Sequence, residues 1–236
     1  NPPTVYSISG GGSFCTGGTG VHIGMVTTNA GISYSLFNGA TLVMTLVGTG
    51  TSLDFGFITA AGTYGVVGNF GTPCATSMSG TATVVVNPLP TAYTVSGGGA
   101  YCAGGAGVHI YINSSTIGTN YQLMLGSTPI GSPVAGTGAA IDFGLFTTAG
   151  TYTVVGTNTT TSCVNNMSGS VTVSINPLPN AFSVTGGGGF CAGASGVHVG
   201  LSGSVAGTNY QLMLGTSTVG SPLAGTGIAL DFGFIT

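Results

Sequence analysis

The chain has 236 residues with no Lys, no Arg and three acidic residues, which gives a formal net charge of −3 with His neutral. Without positive side chains it cannot neutralise phosphates, so we expect no nucleic-acid partner and no attraction to an anionic membrane. No apolar run approaches the roughly 18 residues of a transmembrane helix, so we expect no membrane insertion. The shortage of ionisable groups argues against an enzyme, and we assign no catalytic residue, no metal site and no cofactor.

Strand-like segments follow one another along the chain. The 46 Gly and 10 Pro residues would alone suggest low complexity. Segments such as TATVVV and SVTVSI are instead rich in β-branched residues, and Gly, Asn, Ser and Pro separate them. The sequence therefore predicts an all-β fold with almost no helix.

The chain contains three copies of one unit. Asn87 and Asn176 begin two copies of NPLP, 89 residues apart, and Cys, His and Asp landmarks recur at nearly the same spacing. We predict domains at residues 1–86, 87–175 and 176–236. The third copy lacks the last two predicted strands, so we expect either that the polypeptide continues or that a neighbouring subunit donates strands.

Seven strands are predicted in the second copy. Seven short strands in about 89 residues fit an immunoglobulin-like β-sandwich, and such domains should stack end to end through the short linker VNPLPTAY. Tyr152 and its counterpart Tyr64 lie where such folds have a tyrosine corner. In chain order the predicted strands are AYTVS, VHIYIN, YQLMLG, a short one near TPIGSP, AAIDFGLF, TYTVVGTN and SGSVTVSI.

A glycine-rich stretch, GGGAYCAGGAGVHI, runs from Gly97 to Ile110 and has a counterpart in each copy. It looks like a phosphate-binding loop, but that chemistry normally adds a Lys and opens a helix. Here an alternating, β-branched strand follows instead. We expect these glycines to form an irregular turn between the first two strands, with positive φ or close backbone approach.

These motifs together resemble a known family. The pattern SGGG..C.G..GVH is followed by GTNYQLMLG, GSP.AGTG...DFG..T, AGTYTVVGTN, a Cys and MSGSVTV..NPLP. Over the whole chain this is similar to the tandem immunoglobulin-like repeats of very large secreted surface proteins of gliding-type bacteria. The resemblance implies a stalk, adhesin or filament built from many copies.

The five cysteines are predicted to form disulfides in an oxidising compartment, because no CxxC motif or His cluster accompanies them. Pairing within a copy, Cys15 with Cys74 and Cys102 with Cys163, is slightly preferred because it closes stabilising loops. Against it, the predicted strand order places the two cysteines of one copy at opposite ends of the sandwich. A bond between neighbouring copies, such as Cys15 with Cys163, would satisfy that geometry. Cys191 is left without a partner.

Each copy has one His and one Asp, and alternation places both on the outer faces of the neighbouring second and fifth strands. We therefore predict a cross-strand pair whose contact is sensitive to pH. A catalytic dyad is disfavoured because no recurrent GxSxG-type elbow accompanies the pair. The three pairs are His22 with Asp54, His109 with Asp142, and His198 with Asp231.

The mean hydropathy of +0.56 and the near absence of charge favour self-association. The hydroxyl cluster GTNTTTSC lies in a predicted loop, and glycans attached there would supply solvation. The alternative is that Thr simply suits exposed strand positions. The candidate glycosylation sites are Thr157, Thr159, Thr160, Thr161 and Ser162.

The sequence predicts a non-enzymatic structural protein, a segment of an extracellular fibre or cell-surface stalk. Its partners would be further copies of itself or the continuation of the same chain, with covalent glycans. The main alternative is an adhesin that binds glycan or another cell, which an aromatic-lined groove in every repeat would favour. Apolar side chains on several faces would favour assembly. An ice-binding protein is third, because flat Thr arrays would recur at much shorter spacing.

Overall fold

Repeat 1 folds into two β-sheets whose inward-facing side chains alternate with outward-facing ones. The computed structural model describes residues 2–236. The strands of repeat 1 are β1 (Ile8–Gly10), β2 (Gly12–Cys15), β3 (Val21–Met25), β4 (Ser33–Asn38), β5 (Thr41–Val47), β6 (Leu53–Ile58), β7 (Gly62–Gly68), β8 (Thr76–Ser77) and β9 (Ala82–Asn87). One sheet has the order β1–β3–β6, and the other has the order β2–β9–β7–β4–β5 with β8 paired to β7.

The core of repeat 1 contains side chains from both sheets. Ile23 on β3, Tyr34 and Leu36 on β4, and Tyr64 on β7 are almost completely buried and belong to one cluster. Fully burying one aliphatic or aromatic side chain contributes roughly 1.5–3 kcal/mol. Leu, Ile, Val and Tyr therefore fill the centre of a sandwich that has no Trp.

Repeat 2 has the same architecture. Its strands are β10 (Val95–Gly97), β11 (Gly99–Cys102), β12 (Val108–Ile112), β13 (Thr119–Leu125), β14 (Thr128–Ala135), β15 (Ile141–Phe146), β16 (Gly150–Asn158), β17 (Val164–Asn166) and β18 (Val171–Asn176). One sheet has the order β10–β12–β15. The other contains β18–β16–β13–β14, with β17 paired to β16.

In each of the first two repeats, a buried tyrosine bonds the connection that precedes its strand. The connection is β6–β7 in repeat 1 and β15–β16 in repeat 2. The Tyr64 hydroxyl donates to the carbonyl oxygen of Ala60 over 2.7 Å, and the Tyr152 hydroxyl donates to that of Thr148 over 2.9 Å. A hydroxyl that bonds the backbone four residues upstream is a tyrosine corner. Both residues thus have the geometry that the sequence predicts for them.

The glycine-rich stretch does more than turn, because it moves the chain from one sheet to the other. After β1, Gly10 has φ +90° and a side chain there would collide with the carbonyl oxygen of His22. The next strand, β2, runs parallel to β9 in the second sheet, with Cys15 opposite Asn87. The predicted irregular turn therefore omitted β2 and β11, since a four-residue strand of this kind shows no clear alternation.

Repeat 3 contributes five strands to the described residues. They are β19 (Val184–Gly186), β20 (Val197–Leu201), β21 (Asn209–Leu214), β22 (Ser217–Ala224) and β23 (Leu230–Ile235). The sheet orders are β19–β20–β23 and β21–β22. These strands correspond to the first five main strands of repeats 1 and 2, apart from the short β2 and β11.

The chain divides into two compact units. The first contains the residues up to Gly99 together with Ala106–Ser174, and the second contains Ala100–Gly105 with Ile175–Thr236. Repeats 1 and 2 lie largely in the first unit. The exact domain boundaries stay a prediction, whereas the predicted all-β fold of tandem immunoglobulin-like sandwiches is confirmed. Residues 2–236 contain no helix that is long and apolar enough to span a membrane.

Candidate functional site

The single His and single Asp of each repeat form a contact between two neighbouring strands. His22 on β3 has its Nδ1 atom 2.7 Å from Asp54 Oδ2 on β6, and about half of each side chain is exposed. The same distance is 2.8 Å between His109 and Asp142 in repeat 2. The structure therefore brings together the residues that the sequence pairs, and the third pair, His198 with Asp231, is equally close at 2.6 Å.

A β-bulge places Asp54 on the same face as His22. The register of β3 against β6 shifts next to His22, so Phe55 and Gly56 together stand opposite one residue of β3. Gly56 has φ +83°, and its N–H donates to Asp54 Oδ1 over 2.8 Å. Equivalent bonds of 2.8 Å join Gly144 to Asp142 and Gly233 to Asp231.

In repeats 2 and 3 the hydrogen bond from glycine favours the ionised form of the Asp carboxyl. The backbone N–H of Gly144 lowers the pKa of Asp142 most, and the hydrogen bond with His109 lowers it further. The N–H of Gly233 is likewise the main reason that the pKa of Asp231 is lowered, with a smaller contribution from His198. The carboxylate thus holds the bulge from within its own strand and holds the neighbouring strand through the imidazole.

In repeats 1 and 3 a phenylalanine of the bulged strand packs against the imidazole. The ring centroids of His22 and Phe57 are 4.0 Å apart, as are those of His198 and Phe234. In repeat 2 the residue opposite His109 is Leu145. Strand alternation predicts neither this contact nor the hydrogen bond that Gly donates to Asp, although the recurrent DFG, with Gly two residues after Asp, is a signal for the hydrogen bond. The arrangement supports a structural role in fixing the bulge.

A disulfide joins repeat 1 to repeat 2. Cys15 bonds Cys163, with a Cα separation of 5.6 Å. The preferred pairing within a copy is therefore wrong for Cys15 with Cys74 and for Cys102 with Cys163. Strand β2 ends beside Asn87, so Cys15 lies where repeat 1 passes into the linker. Cys163 lies in the loop after β16 of repeat 2, and this loop meets Cys15 at the junction of the two repeats.

The loop that carries Cys163 is held by its own polar side chains. Asn158 Oδ1 accepts hydrogen bonds from the N–H groups of Thr160 and Thr161, each 2.9 Å long. The Thr161 hydroxyl oxygen in turn accepts a bond of 3.4 Å from the N–H of Cys163. Asn165 Nδ2 donates over 2.7 Å to the carbonyl oxygen of Pro90 in the linker. The hydroxyl cluster therefore orders the loop around Cys163, and Asn165 of β17 ties the following strand to the linker.

The hydroxyl groups of this cluster differ in exposure. Thr159, Thr160 and Ser162 are exposed, whereas Thr157 and Thr161 are partly buried. The Thr159 hydroxyl also donates to the carbonyl oxygen of Gly118 over 3.0 Å. Glycosylation of these five residues stays a prediction, with the three exposed ones most accessible to a modifying enzyme.

Three cysteines have exposed thiols, Cys74, Cys102 and Cys191. Cys74 has the local structure of Cys163, since its N–H bonds the Thr72 hydroxyl over 3.2 Å. Cys102 has the local structure of Cys15. The N–H of the residue after each donates to the last residue of the adjoining strand, over 2.8 Å from Ala103 and 2.9 Å from Thr16.

An open groove of about 490 Å³ lies on the six-stranded sheet of repeat 1. Phe37 and Phe70 line it, with ring centroids 4.8 Å apart in an edge-to-face arrangement. Met124 takes the position of Phe37 in repeat 2, and Met213 takes it in repeat 3. This aromatic lining is therefore not a feature of every repeat.

No protein-family model matches the chain, and no curated protein matches it. A solved marsupial T cell receptor aligns with 97% of this chain and 92% of its own, at 13% identity and a TM-score of 0.47. A Ca²⁺-stabilized adhesin with which an Antarctic bacterium binds ice aligns with 97% of this chain and 66% of its own, at 17% identity and a TM-score of 0.41. Fibronectin(III)-like modules of Clostridium thermocellum CbhA align with 72% of this chain and 95% of their own, at 13% identity and a TM-score of 0.38. The strand order described above, rather than these likenesses, defines the immunoglobulin-like fold.

Proposed function

We propose that this chain is a segment of an extracellular fibre or cell-surface stalk made of tandem immunoglobulin-like repeats. The observation that carries the proposal is the Cys15–Cys163 disulfide, which links two successive sandwiches and does not lie within a single domain. Structural disulfides persist in oxidising compartments, which supports a location outside the cytosol. A covalent link between successive repeats restricts their relative motion, and a stalk needs that restriction more than an independent binding module does.

The proposed fibre assembles through uncharged surfaces. Electrostatic repulsion is weak because three Asp residues are the only acidic side chains and the chain has no Lys or Arg. Large exposed apolar side chains occur in all three repeats, which supports contacts on several faces. Examples are Val47, Phe57, Ile117, Leu145, Leu214 and Ile228.

The alternative function is an adhesin module, and the groove of Phe37 and Phe70 is the observation that favours it. Stacking of apolar sugar faces on aromatic rings would use such a surface. Because the aromatic lining is confined to repeat 1, it does not meet the expectation of a groove in every repeat. The structural role is therefore the better supported of the two.

Electron microscopy of native material, isolated without reductant, tests the proposal. We expect continuous filaments with density repeating at roughly 40 Å, the advance of one sandwich of strands at about 3.3 Å per residue. Dispersed short rods with no association would contradict the fibre. A glycan-binding assay comparing the wild type with Phe70→Ala would then test the adhesin alternative.

A further inference from the structure

Strand β5 of repeat 1 is an unprotected sheet edge. It ends the path β2–β9–β7–β4–β5 and pairs with β4 alone among the described strands, so its other side carries unpaired backbone N–H and C=O groups. Its sequence TLVMTLV contains no Gly, Pro or charged residue, and six of its seven residues are exposed. These are the properties of a strand that adds to another strand.

The equivalent edges of repeats 2 and 3 are interrupted. In β14 three residues, Gly131 to Pro133, stand opposite the single residue Gln122, and Gly131 has φ +64°. Gln122 Nε2 fills this bulge by donating to the carbonyl oxygen of Ile130 over 2.9 Å. Strand β22 repeats the device with Gly220, Pro222 and Gln211. Proline and bulges are the usual protection of an edge against pairing.

Repeat 1 lacks these protective features. Only one extra residue, Val43, interrupts the register of β5 with β4. Ser35 replaces the glutamine, and its hydroxyl bonds the Thr45 hydroxyl over 2.8 Å, so it leaves the backbone of the edge accessible. The protection is thus absent from one repeat and present in its two relatives within the same chain.

An apolar groove adjoins the open edge. Its volume is about 490 Å³, and its lining includes Leu42 and Met44 of β5, Phe57 of β6 and the core residue Tyr64. Phe57 is 59% exposed and Leu42 is 48% exposed. A strand that docks on β5 therefore gains apolar burial in addition to backbone hydrogen bonds.

We propose that β5 pairs antiparallel with β5 of a second copy of this chain. A two-fold axis near Thr45 would place Met44 opposite Leu46 of the other copy, since both side chains lie on the same face of β5. The two six-stranded sheets would then continue as one. The pairing is self-complementary and brings no charges together, and β-branched Thr and Val suit it. This inference rests on the self-association part of the proposed function and gives that association a defined surface.

The geometry limits the pairing to two copies. A two-fold contact uses the same edge on both partners, so no open β5 edge remains for a third copy. Seven strand residues span only roughly 23 Å, which buries less area than a stable dimer interface needs, so the isolated dimer is weak. A weak contact of this kind would act together with the other apolar contacts of the proposed fibre.

Sedimentation velocity of residues 1–236 tests this inference, with Cys74, Cys102 and Cys191 replaced by Ser so that stray disulfides do not form. Over a concentration series up to about 1 mM we expect a monomer–dimer equilibrium. Leu42→Lys puts a charge on the edge strand beside the apolar groove, where pairing would have to remove it from water, and should weaken dimerisation at least about tenfold. Val134→Lys, at a similarly exposed site on the interrupted edge of repeat 2, is the matched control and should leave it unchanged.

Amide hydrogen exchange supplies a second readout. In the dimer, exchange of the β5 amides should slow as the concentration rises, while that of β14 should not. A wild-type protein that stays monomeric throughout the series would overturn the inference, and so would equal weakening by Leu42→Lys and Val134→Lys. Filaments in native material together with a monomeric chain in solution would reject the β5 pairing and leave the proposed stalk intact.

Discussion

Cys15 and Cys163 are joined by a disulfide although 148 positions of sequence separate them. One cysteine ends the short strand that runs beside the last strand of repeat 1. The other lies in a loop of repeat 2 just before β17, where Asn165 donates a hydrogen bond to the carbonyl oxygen of Pro90 in the linker. The bond therefore fixes the junction of two sandwiches at a point where each is already rigid.

Replacement of both Cys15 and Cys163 by Ser should loosen that junction. The chain-entropy model assigns about 5 kcal/mol of stabilisation to a disulfide that closes a loop of this length. This value is an upper bound for the loss, because each repeat keeps its own core without the disulfide. We expect separate thermal transitions for the two repeats and faster cleavage of the linker, residues 86–93, by proteinase K, since trypsin has no site in this chain. Cys102→Ser removes an exposed thiol and is the control. Equal cleavage of the double variant and the control would contradict the prediction.

Gly97→Ala should destabilise repeat 2 severely. A side chain at this position would collide with the carbonyl oxygen of His109, and φ is +93°. Gly104 has a similar φ of +81° but open space around it, so Gly104→Ala tests the backbone strain alone. We expect a loss of about 1 kcal/mol for Gly104→Ala and several times more for Gly97→Ala in urea unfolding. Equal losses of stability in the two variants would contradict the prediction, because they would show that the close contact between Gly97 and His109 adds nothing to the backbone strain.

Asp142→Asn should lower the free energy of unfolding at neutral pH by less than about 1 kcal/mol, because the side chain is exposed. The pKa of Asp142 is lowered in the folded protein, so the carboxylate stabilises the fold above its unfolded pKa of about 3.8. That contribution should vanish as the pH falls through the folded pKa. Thermal unfolding from pH 7 to pH 2 measures it, and a constant gap between variant and wild type across this range would refute the assignment.

Tyr64→Phe should lower the free energy of unfolding by about 1 kcal/mol at neutral pH, through loss of the hydrogen bond to Ala60. Burial raises the pKa of Tyr64 above its ordinary value of 10.0, against a smaller lowering by Asn38. A raised pKa means that the unfolded chain ionises first, so this tyrosine's stabilising effect is lost as the pH rises past 10. The difference between wild type and variant should therefore narrow in alkaline stopped-flow unfolding. A widening difference would be the contrary result.

The fold was predictable because its signals are periodic. Alternating apolar residues predict the strands that bury Tyr34 and Tyr121, and exact repetition of Cys, His and Asp predicts three similar domains. The short strands β2 and β11 were not predictable in this way. Their residues are mostly Gly, Ser, Ala and aromatic, so no local pattern reports them. The partner of β2 is moreover a parallel strand, β9, in which Val84 lies opposite Gly12.

The site was predictable in part, for the same reason. Alternation places His22 and Asp54 on one outer face, and the structure brings them together. Alternation in the sequence does not predict the bulge at Gly56, because a bulge changes the register of two strands without changing their composition. The disulfide partner of Cys15 could not be predicted in the same way. It depends on the end of the sandwich at which Cys15 lies, and the path of the chain from β1 into β2 determines that end.

Mechanical load would bypass most of the first two repeats. A pull transmitted through Cys15 and Cys163 runs along one sulfur–sulfur bond, so the 147 residues between them cannot extend. Those residues would otherwise release roughly 500 Å of contour length on unfolding, at about 3.4 Å per residue. The extensibility of the chain therefore depends on the redox state of this disulfide. In a reducing environment these residues could extend under load, and in an oxidising environment they could not.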